Sequence, residues 1–567
     1  MCGIFSLLNN NIIDTNIIQS SFEKGKIRGP EFSKLSTVDI LCDFGFHRLA
    51  INGLNEISNQ PIIIDEIKLI CNGEIYNYKE LYKLLDITPN TQSDCEVIIH
   101  LYKKYGIEYT LQILDGVFSF ILCDSRLTNN DSKIYIARDP YGVRPLYQLK
   151  PISNNSKIYG FSSEIKMLYD IYNNVRETHE ITHFEPGTYS VFTLPIIVST
   201  KWNPIIQNYK YHTFGVFMPI FQKLCIDNYN DLICKNIFNY LSKAVQKRVL
   251  TTERPIACLL SGGLDSSLIT SLVNHYSYKQ IETYSIGLEG SEDLKYAKIV
   301  ANFLGTKHTE VILTEQDFIN AIPEVIYAIE SYDTTTVRAS IGNYLLAKYI
   351  SQHSEAKVIF NGDGSDELCG GYLYMNYASS SLDFDNETKR LLKDIHMFDV
   401  LRSDKSISSN GLEPRTPFLD RSFVQYYLSI DPNYRFHKRN NVCEKYLLRK
   451  AFDRKIGVKC DCNLILNDVL PKEVLWRKKE AFSDGVSKKS RSLYEIIQEY
   501  VSNMGNLPIF YAMHYHHNNP DTKEKQYYRY LYDSYYSGTE KVVPYFWMPK
   551  WVNATDASAR TLDIYED

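Results

Sequence analysis

A cysteine and a glycine directly follow the first methionine, in the sequence MCGIFSLL. Removal of Met1 would leave Cys2 with a thiol and a free α-amine, which together form a nucleophile with its own base. An α-amine titrates near pH ~8 and a free thiol near ~8.5, so a proton passes between them at little cost. The start of the chain therefore predicts an N-terminal nucleophile, although one cysteine by itself is weak evidence.

A second candidate site lies in the sequence PIACLLSGGLDSS, which predicts a buried strand, a glycine turn and a helix. Gly262 and Gly263 allow a ligand to approach the backbone, and the N–H groups at the start of the helix suit phosphate. The stretch lacks the lysine of the P-loop motif. Asp265 would repel a bare phosphate, so its position implies a magnesium ion between the two.

An acidic loop follows another apolar run, in the sequence VIFNGDGSDELCGGY, and contains Asp363, Asp366 and Glu367. Loops at the carboxyl ends of neighbouring parallel strands face one crevice. Magnesium pyrophosphate is the ligand expected there, and the third strand end, SIGLEGS, would place Ile286 beside a base or ribose.

The elements that must position these groups differ between the two parts of the chain. Up to about residue 195, short apolar runs alternate with Gly, Asn and Pro, which predicts stacked sheets. Flanking helices are expected at YKELYKLL and CEVIIHLYKKYG, giving an α/β or α+β domain. Residues 196–225 are predicted to be a linker. Beyond them, strands and helices alternate, which predicts a doubly wound parallel sheet, and the part from about residue 440 is predicted to be helical.

Length and composition exclude several classes of protein. A chain of 567 residues is too long to fold around a single hydrophobic core, so at least two domains are expected. The 62 basic and 67 acidic residues give no electrostatic case for nucleic acid. The 12 cysteines include no C-x-x-C pair, which favours free thiols in a reducing compartment. No apolar run reaches about 18 residues, so we expect a cytoplasmic protein without a membrane partner.

The loop SGGLDSS is similar to the pyrophosphate loop of the ATP pyrophosphatases, which cleave ATP between its α- and β-phosphates to adenylate a carboxylate. Further motifs accompany it along the chain: YDTTTVRAS, NGDGSDELCGGY, EPRTPFLD, EKYLLRKAF, KEAFSDGV and PKWVNATDASARTL. Together with MCGI they resemble the glutamine-hydrolysing asparagine synthetases over nearly the whole chain. The resemblance implies a glutaminase domain of the N-terminal-nucleophile type over 2–195 and an ATP-pyrophosphatase domain over 226–567.

The resemblance also implies that Cys2 is the glutaminase nucleophile. Arg48 would pair with the α-carboxylate of glutamine, Asn72 and the N–H of Gly73 would form the oxyanion hole, and Glu74 and Asp94 would hold the α-amine. The backbone of Leu49, Ala50, Ile51 and Asn52 would line the pocket. Without the family, a surface ion pair, a hairpin turn and a helix cap would explain Arg48, Asn72-Gly73 and Asp94.

In the second domain, the resemblance implies three groups of residues. The ATP site would comprise Leu260, Ser261, Gly262, Gly263, Asp265, Ser266, Ile286, Asn361 and Gly362, with Mg²⁺ on Asp265 and Asp366. Aspartate or its intermediate would contact Thr335, Thr336, Arg338, Asp363 and Glu367. Lys445 would stabilise the α-phosphate during transfer, and Arg415 and Asp420 would support the crevice. The expected partners are glutamine, aspartate and ATP, with a homodimer as one option for assembly.

Two stretches depart from the family pattern. Where the family has S-G-E-G-S/A-D-E, this chain has Asn361 for serine and Asp363 for glutamate. Asp363 is one methylene shorter, which reduces its reach toward the intermediate. The early motif R-G-P-D ends here in Glu31. Both acidic replacements keep the charge, so we expect activity to survive.

Three rival functions fit parts of the sequence. A cyclase of the β-lactam synthetase type should have lost Cys2, and an amidotransferase acting on a sugar phosphate should lack SGGLDSS. A degenerate glutamine-sensing protein should have lost the magnesium ligands, yet Asp265 and Asp366 are present. These observations favour an enzyme with two sites, one releasing ammonia from glutamine and one activating aspartate with ATP.

Overall fold

The structure is a computed structural model. It describes residues 2–128, 131–153, 156–195, 200–218, 226–460, 463–479, 485–487, 491–504 and 515–558. Within these ranges no helix is long and apolar enough to cross a membrane.

The first part of the chain forms two six-stranded sheets with four helices. The strands are β1 (Gly3–Leu8), β2 (Phe32–Asp39), β3 (Cys42–Arg48), β4 (Ile62–Ile64), β5 (Ile67–Ile75), β6 (Gly116–Thr128), β7 (Asp131–Arg138), β8 (Tyr147–Pro151), β9 (Tyr159–Ser162), β10 (His179–His183), β11 (Thr188–Pro195) and β12 (Asn203–Lys210). The helices are α1 (Thr15–Glu23), α2 (Tyr78–Leu85), α3 (Val97–Ile113) and α4 (Lys166–Val175).

The two antiparallel sheets have the strand orders β10-β8-β9-β1-β3-β2 and β12-β11-β7-β6-β5-β4. Alternate residues of their strands form a shared core, which includes Ile4, Phe44, Ile70 and Ile121. Helices α1 and α4 cover the outer face of the first sheet, and α2 and α3 cover that of the second. This confirms the expected stacked sheets with flanking helices.

The second part of the chain contains the remaining helices and a five-stranded sheet. Its helices are α5 (Ile226–Leu250), α6 (Leu264–Tyr276), α7 (Glu292–Leu304), α8 (Glu315–Ile329), α9 (Thr334–His353), α10 (Ser365–Cys369), α11 (Ser381–Asp394), α12 (Asp399–Ser408), α13 (Arg421–Ser429), α14 (Pro432–Arg435), α15 (Tyr446–Phe452), α16 (Lys472–Leu475), α17 (Leu493–Asn503) and α18 (Lys523–Tyr536). Its strands are β13 (Ile256–Leu259), β14 (Glu282–Leu288), β15 (Lys307–Leu313), β16 (Val358–Phe360), β17 (Glu413–Arg415), β18 (Lys455–Cys460) and β19 (Asn463–Asp468).

The five-stranded sheet is parallel throughout and has the order β15-β14-β13-β16-β17. Helices lie on both of its faces, as expected for a doubly wound sheet. The chain reverses its direction of travel across the sheet between β13 and β16. A crevice opens beyond the carboxyl ends of strands at such a point. The predicted fold is confirmed, and the crevice lies where SGGLDSS and NGDGSDE follow their strands.

Two segments differ from the predicted elements. The predicted linker contains β12, which pairs with β11 at the edge of the second sheet. Trp202 anchors this strand, because its side chain is fully buried and its indole N–H donates to Ile40 O at 2.8 Å. Residues 196–199 and 219–225 of the predicted linker lie outside the described ranges. In the part predicted to be helical, β18 and β19 form an antiparallel hairpin.

Candidate functional site

Cys2 lies at the start of β1, and its neighbours are the groups predicted to surround it. Its backbone nitrogen, which becomes the α-amine when Met1 is removed, is 3.2 Å from Asn72 Oδ1. Its Sγ is 3.8 Å from Leu49 O. Burial raises the pKa of the thiol to about 11. At neutral pH the thiol is therefore protonated, and attack on an amide requires a base.

Asn72 and Gly73 lie in the middle of β5, where they pair with Ser119 and Phe118 of β6. They do not form the hairpin turn that the dipeptide alone suggests. A side chain at Gly73 would lie 2.6 Å from Val117 O, so only glycine fits. The strand thus presents Asn72 to Cys2 from a rigid element. The predicted oxyanion-hole role of both residues stays a prediction.

Arg48 ends β3 and is buried, which excludes a surface ion pair. Its guanidinium donates to Asn55 O at 2.9 Å, to Asn59 Oδ1 at 2.8 Å and to the carbonyls of Asn52 and Gly53. These acceptors are uncharged, so the cation keeps its charge available for a carboxylate. Contact with the α-carboxylate of glutamine stays a prediction.

The backbone of Ala50 has both of its polar groups occupied. Its N–H donates to Glu31 Oε2 at 2.7 Å, and its carbonyl accepts from Arg254 Nε at 2.8 Å. Glu31 is the residue that departs from the family motif, and Arg254 pairs with its other oxygen at 2.6 Å. The segment between Leu49 and Asn52 is therefore held in place by an ion pair that joins the two parts of the chain.

Glu74 and Asp94 are both buried carboxylates near Gly73. Glu74 accepts from Asn52 Nδ2 at 2.8 Å and pairs with Arg415 at 3.2 Å. Asp94 accepts from Ile75 N at 2.7 Å, whereas the helix cap is Ser93. Burial raises the pKa of Asp94 to about 6. Asp94 therefore carries its negative charge only above about pH 6, and its predicted contact with the α-ammonium of glutamine requires that charge.

The second site is a cavity of about 220 Å³ beyond the carboxyl ends of β13, β14 and β16. Its lining includes these predicted residues: Leu260, Ser261, Gly263, Asp265, Ser266, Ile286, Thr335, Asn361, Gly362, Asp363, Asp366, Glu367 and Lys445. Gly262 lies in the same loop with a φ of +71°, where any side chain would collide with the backbone of Tyr296 and Ala297 at 2.5 Å. The loop therefore requires glycine for its shape.

Lys445 bridges the two acidic loops of this cavity. Its Nζ is 2.6 Å from Asp265 Oδ2 and 2.6 Å from Asp366 Oδ1. Lys479 Nζ approaches the other oxygen of Asp366 at 2.6 Å. Burial would raise the pKa of Asp366, but the two lysines outweigh burial and lower it. Asp366 is therefore ionised at neutral pH, and the two carboxylates converge on one cation position.

The backbone of Lys445 is strained. Its φ is +55°, in the left-handed region that a side chain makes unfavourable by about 1–2 kcal/mol. Strain of this kind concentrates at functional sites, where the surrounding structure compensates for it. The residue just before α15 is therefore held in an unusual conformation that aims its ammonium between two carboxylates.

Asp363, the residue that departs from the family pattern, contacts a cation from α12. Its Oδ1 accepts from Arg402 Nη2 at 3.0 Å, and Arg402 also pairs with Asp399 at 3.0 Å. The other oxygen of Asp363 is buried and has no hydrogen-bond partner among the described residues. Glu367 accepts from the hydroxyl of Tyr372 at 2.6 Å. Asp363 lines the cavity and keeps one buried oxygen without a hydrogen-bond partner among the described residues.

Two predicted substrate contacts lie apart from the nucleotide cavity. The hydroxyl of Thr336 donates to Asp333 at 2.7 Å. Arg338 is buried and pairs with Glu524 and Asp556, at 2.8 Å and 2.6 Å. Neither side chain lines the nucleotide cavity. The partners of the Arg338 guanidinium, Glu524 and Asp556, lie 186 and 218 positions later in the sequence. The motif YDTTTVRAS alone therefore cannot reveal them.

Sequence interpretation missed seven charged residues that line this cavity: Asp293, Asp399, Arg402, Arg449, Arg477, Lys478 and Lys479. Lys479 belongs to the motif KEAFSDGV, so the resemblance contained a signal for it, although residues 480–484 of that motif lie outside the described ranges. Asp399 and Arg402 have no such signal. They are one turn apart on α12, and only the packing of that helix brings them to Asp363.

Buried ion pairs connect the two sites. Arg28 donates to the carbonyl of Cys2 at 3.1 Å and to Asp404 of α12 at 2.9 Å. Two residues earlier on α12, Arg402 contacts Asp363. Arg415, the last residue of β17 in the parallel sheet, pairs with Glu74 as described above. The same elements thus hold the surroundings of Cys2 and of the nucleotide cavity.

Comparison with known proteins agrees with both sites. The chain matches the glutamine amidotransferase domain family over residues 1–188 and the asparagine synthase family over residues 237–385 and 378–549. It is 39% identical to the mouse glutamine-hydrolysing asparagine synthetase over 100% of this chain and 99% of the mouse protein. The Chinese hamster and chicken proteins of that name are each 40% identical, with the same coverage. The chain belongs to the family of glutamine-hydrolysing asparagine synthetases.

Proposed function

We propose that this chain makes L-asparagine from L-aspartate and ATP, with nitrogen that Cys2 releases from glutamine, and yields glutamate, AMP and pyrophosphate. The observation that carries the proposal is the placement of Lys445 between Asp265 and Asp366 at the switch point of the parallel sheet. A cyclase of the β-lactam synthetase type is disfavoured by Cys2 with Asn72 beside it. A degenerate sensor is disfavoured by the intact acidic loops.

In the glutaminase step, the α-amine of Cys2 takes the thiol proton, because the raised pKa of the thiol keeps it protonated at neutral pH. The sulfur attacks the amide carbon of glutamine, and the oxyanion is stabilised by Asn72 and the N–H of Gly73. The proton passes to the departing nitrogen, which leaves as ammonia. Water then hydrolyses the thioester to glutamate. Arg48 and Asp94 would hold the two charged ends of the amino acid.

Asp265 and Asp366 are the residues that would hold Mg²⁺. They fit this ion because both offer carboxylate oxygens, belong to neighbouring loops and already surround one cation, the ammonium of Lys445. A magnesium ion there supplies charge compensation for the departing pyrophosphate. Ser261, Gly262, Gly263 and Ser266 would hold the phosphates through backbone and hydroxyl donors, which suits a loop at the start of a helix.

In the synthetase step, an oxygen of the aspartate β-carboxylate attacks the α-phosphorus of ATP, and pyrophosphate leaves. Lys445 stabilises the charge that develops on the α-phosphate. Ammonia then attacks the acyl carbon of β-aspartyl-AMP and displaces AMP, while the unpartnered oxygen of Asp363 accepts a proton from the incoming nitrogen. Separate sites suit this chemistry, since free ammonia is mostly protonated in water at neutral pH.

The division of the chain into 2–195, 196–225 and 226–567, a homodimeric assembly and a cytoplasmic location stay predictions. The test of the proposed reaction is pyrophosphate release measured with aspartate and glutamine, separately and together. Asp265→Asn should lower aspartate-dependent release by about two orders of magnitude or more, as loss of an electrostatic group does. The exposed Glu289→Gln, the same chemical change outside the cavity lining, should leave the rate unchanged. An unaffected rate for Asp265→Asn would exclude that residue as a metal ligand.

A further inference from the structure

A second cavity of about 90 Å³ adjoins the nucleotide cavity. The two share the lining residues Thr335, Tyr372, Leu373, Asp399 and Arg402. A ligand in the smaller cavity would therefore reach the reacting end of a nucleotide in the larger one. We call the smaller cavity the side chamber.

The side chamber is closed on one side by residues from near the end of the chain. These residues, the C-terminal wall, are Trp547, Pro549, Ala557 and Ser558. Trp547 is buried against Tyr372 and Tyr374, with ring centroids 5.4 Å and 6.0 Å apart. Its backbone N–H donates to Asp333 Oδ1 at 2.7 Å. Asp333 is the N-cap residue of α9, the helix that also supplies Thr335, so the wall and the helix form one unit.

Arg338 fastens the C-terminal wall to α9. Its guanidinium makes two parallel contacts with Asp556, at 2.6 Å and 2.9 Å, and a contact with Glu524 of α18 at 2.8 Å. Asp556 also accepts from Ser558 N at 2.7 Å, which fixes the turn that presents Ala557 and Ser558 to the chamber. A bidentate arginine–carboxylate pair in a buried position defines geometry strongly. Arg338 therefore acts on the chamber through the wall and does not enter it.

The polar groups of the side chamber suit a zwitterionic amino acid. Arg402 offers a cation and Asp399 an anion; the two are one helical turn apart and pair with each other at 3.0 Å, and Arg402 also contacts Asp363. Thr335 adds a hydroxyl that is buried and has no hydrogen-bond partner within the described ranges. An α-carboxylate beside Arg402 and an α-ammonium beside Asp399 would direct an acidic side chain toward the nucleotide. The ring of Trp547 would limit the length of the amino-acid side chain that the chamber accepts.

We propose that the C-terminal wall completes the aspartate site, and that Arg338 is a positioning residue that acts through Asp556. The inference rests on the proposed function and adds to it the part of the chain that shapes the amino-acid subsite. The wall would set where the β-carboxylate lies relative to the α-phosphorus, because Trp547, Pro549, Ala557 and Ser558 line the side chamber.

The test uses the full chain with Asp556→Asn and Trp547→Ala, assayed for pyrophosphate release with ammonia as nitrogen donor. Each variant should raise the KM for aspartate about tenfold or more, which corresponds to about 1.4 kcal/mol. The KM for ATP should change less than threefold, and so should the rate of glutamine hydrolysis at the first site. Asp556→Glu should restore most of the aspartate affinity. Lys550→Gln is the control, because Lys550 is in the same segment but its side chain is half exposed and faces Glu387.

Two outcomes would overturn the inference. One is an unchanged KM for aspartate in both variants. The other is an equal rise in the KM values for aspartate and ATP, which a general loss of structure would produce. Failure of the proposed function is distinguishable, since the unmodified chain would then release no pyrophosphate with aspartate.

Discussion

Lys445 occupies the position between the two carboxylates that a metal ion would need. Its Nζ lies 2.6 Å from both Asp265 and Asp366. We therefore predict that Lys445→Met has opposite effects on metal binding and on turnover. Methionine keeps the Cβ of lysine and matches its side chain as far as Cε, so the cost of the left-handed backbone is retained while the ammonium group is lost.

The expected change in metal affinity follows from the two contacts of the Lys445 ammonium. A hydrogen bond to a charged group contributes about 1.5–3 kcal/mol. If the metal must replace at least one such contact, loss of the ammonium should tighten metal binding by about 10- to 100-fold. Turnover should fall by about 10²- to 10³-fold, the usual effect of removing one group that stabilises transition-state charge.

Calorimetric titration of the free enzyme with Mg²⁺ or Mn²⁺ measures the first effect. Pyrophosphate release with aspartate and ammonia measures the second. Lys479→Met provides a graded comparison, since Lys479 contacts only Asp366 and should produce the smaller gain in metal affinity. Lys445→Arg keeps the charge and should bind metal as the unmodified chain does.

Weaker or unchanged metal binding in Lys445→Met would refute the shared cation position. A rate within threefold of the unmodified enzyme would refute a role at the α-phosphate. Because unfolding would weaken binding and activity together, tighter binding with slower turnover cannot arise from a loss of structure.

Three further predictions concern the glutaminase site and its supports. Cys2→Ala should abolish glutamine-dependent synthesis while ammonia-dependent synthesis survives, and loss of both would contradict separate sites. Asp94 is neutral below its raised pKa of about 6, so the KM for glutamine should rise as pH falls through that value. Asp94→Asn should raise the KM for glutamine and remove most of its dependence on pH. A pH dependence that is unchanged in this variant would count against a contact between Asp94 and glutamine. Arg415→Met removes the cation that contacts Glu74 and Glu413 and leaves Glu413 paired with Arg144 at 3.6 Å, which costs about 3–5 kcal/mol. A thermal shift assay should show a fall of about 2.5–4 °C, because the unfolding entropy grows with the 567-residue length of the chain, and a fall under about 1 °C would refute this cost.

Local patterns of the sequence determined the architecture and the chemistry. The alternation of strand and helix after residue 226 predicted the parallel sheet, and the glycines of SGGLDSS predicted a loop that allows close approach of a ligand. Both follow from short-range effects, namely hydrophobic periodicity and backbone sterics. The nucleophile at position 2 was equally visible, since its chemistry depends on one residue and the start of the chain.

The tertiary structure alone decided which charges meet. Arg338 lies in a substrate motif, yet it pairs with Asp556, 218 positions further along the chain. Arg402 has no motif and still reaches Asp363. The edge strand β12 lies in a segment that was predicted to be a linker. Trp202 anchors it, because its side chain is buried and its indole N–H donates to Ile40 O. Long-range contacts of this kind depend on which elements pack together, and the free energy of burying a charge is set by the partner that the fold supplies.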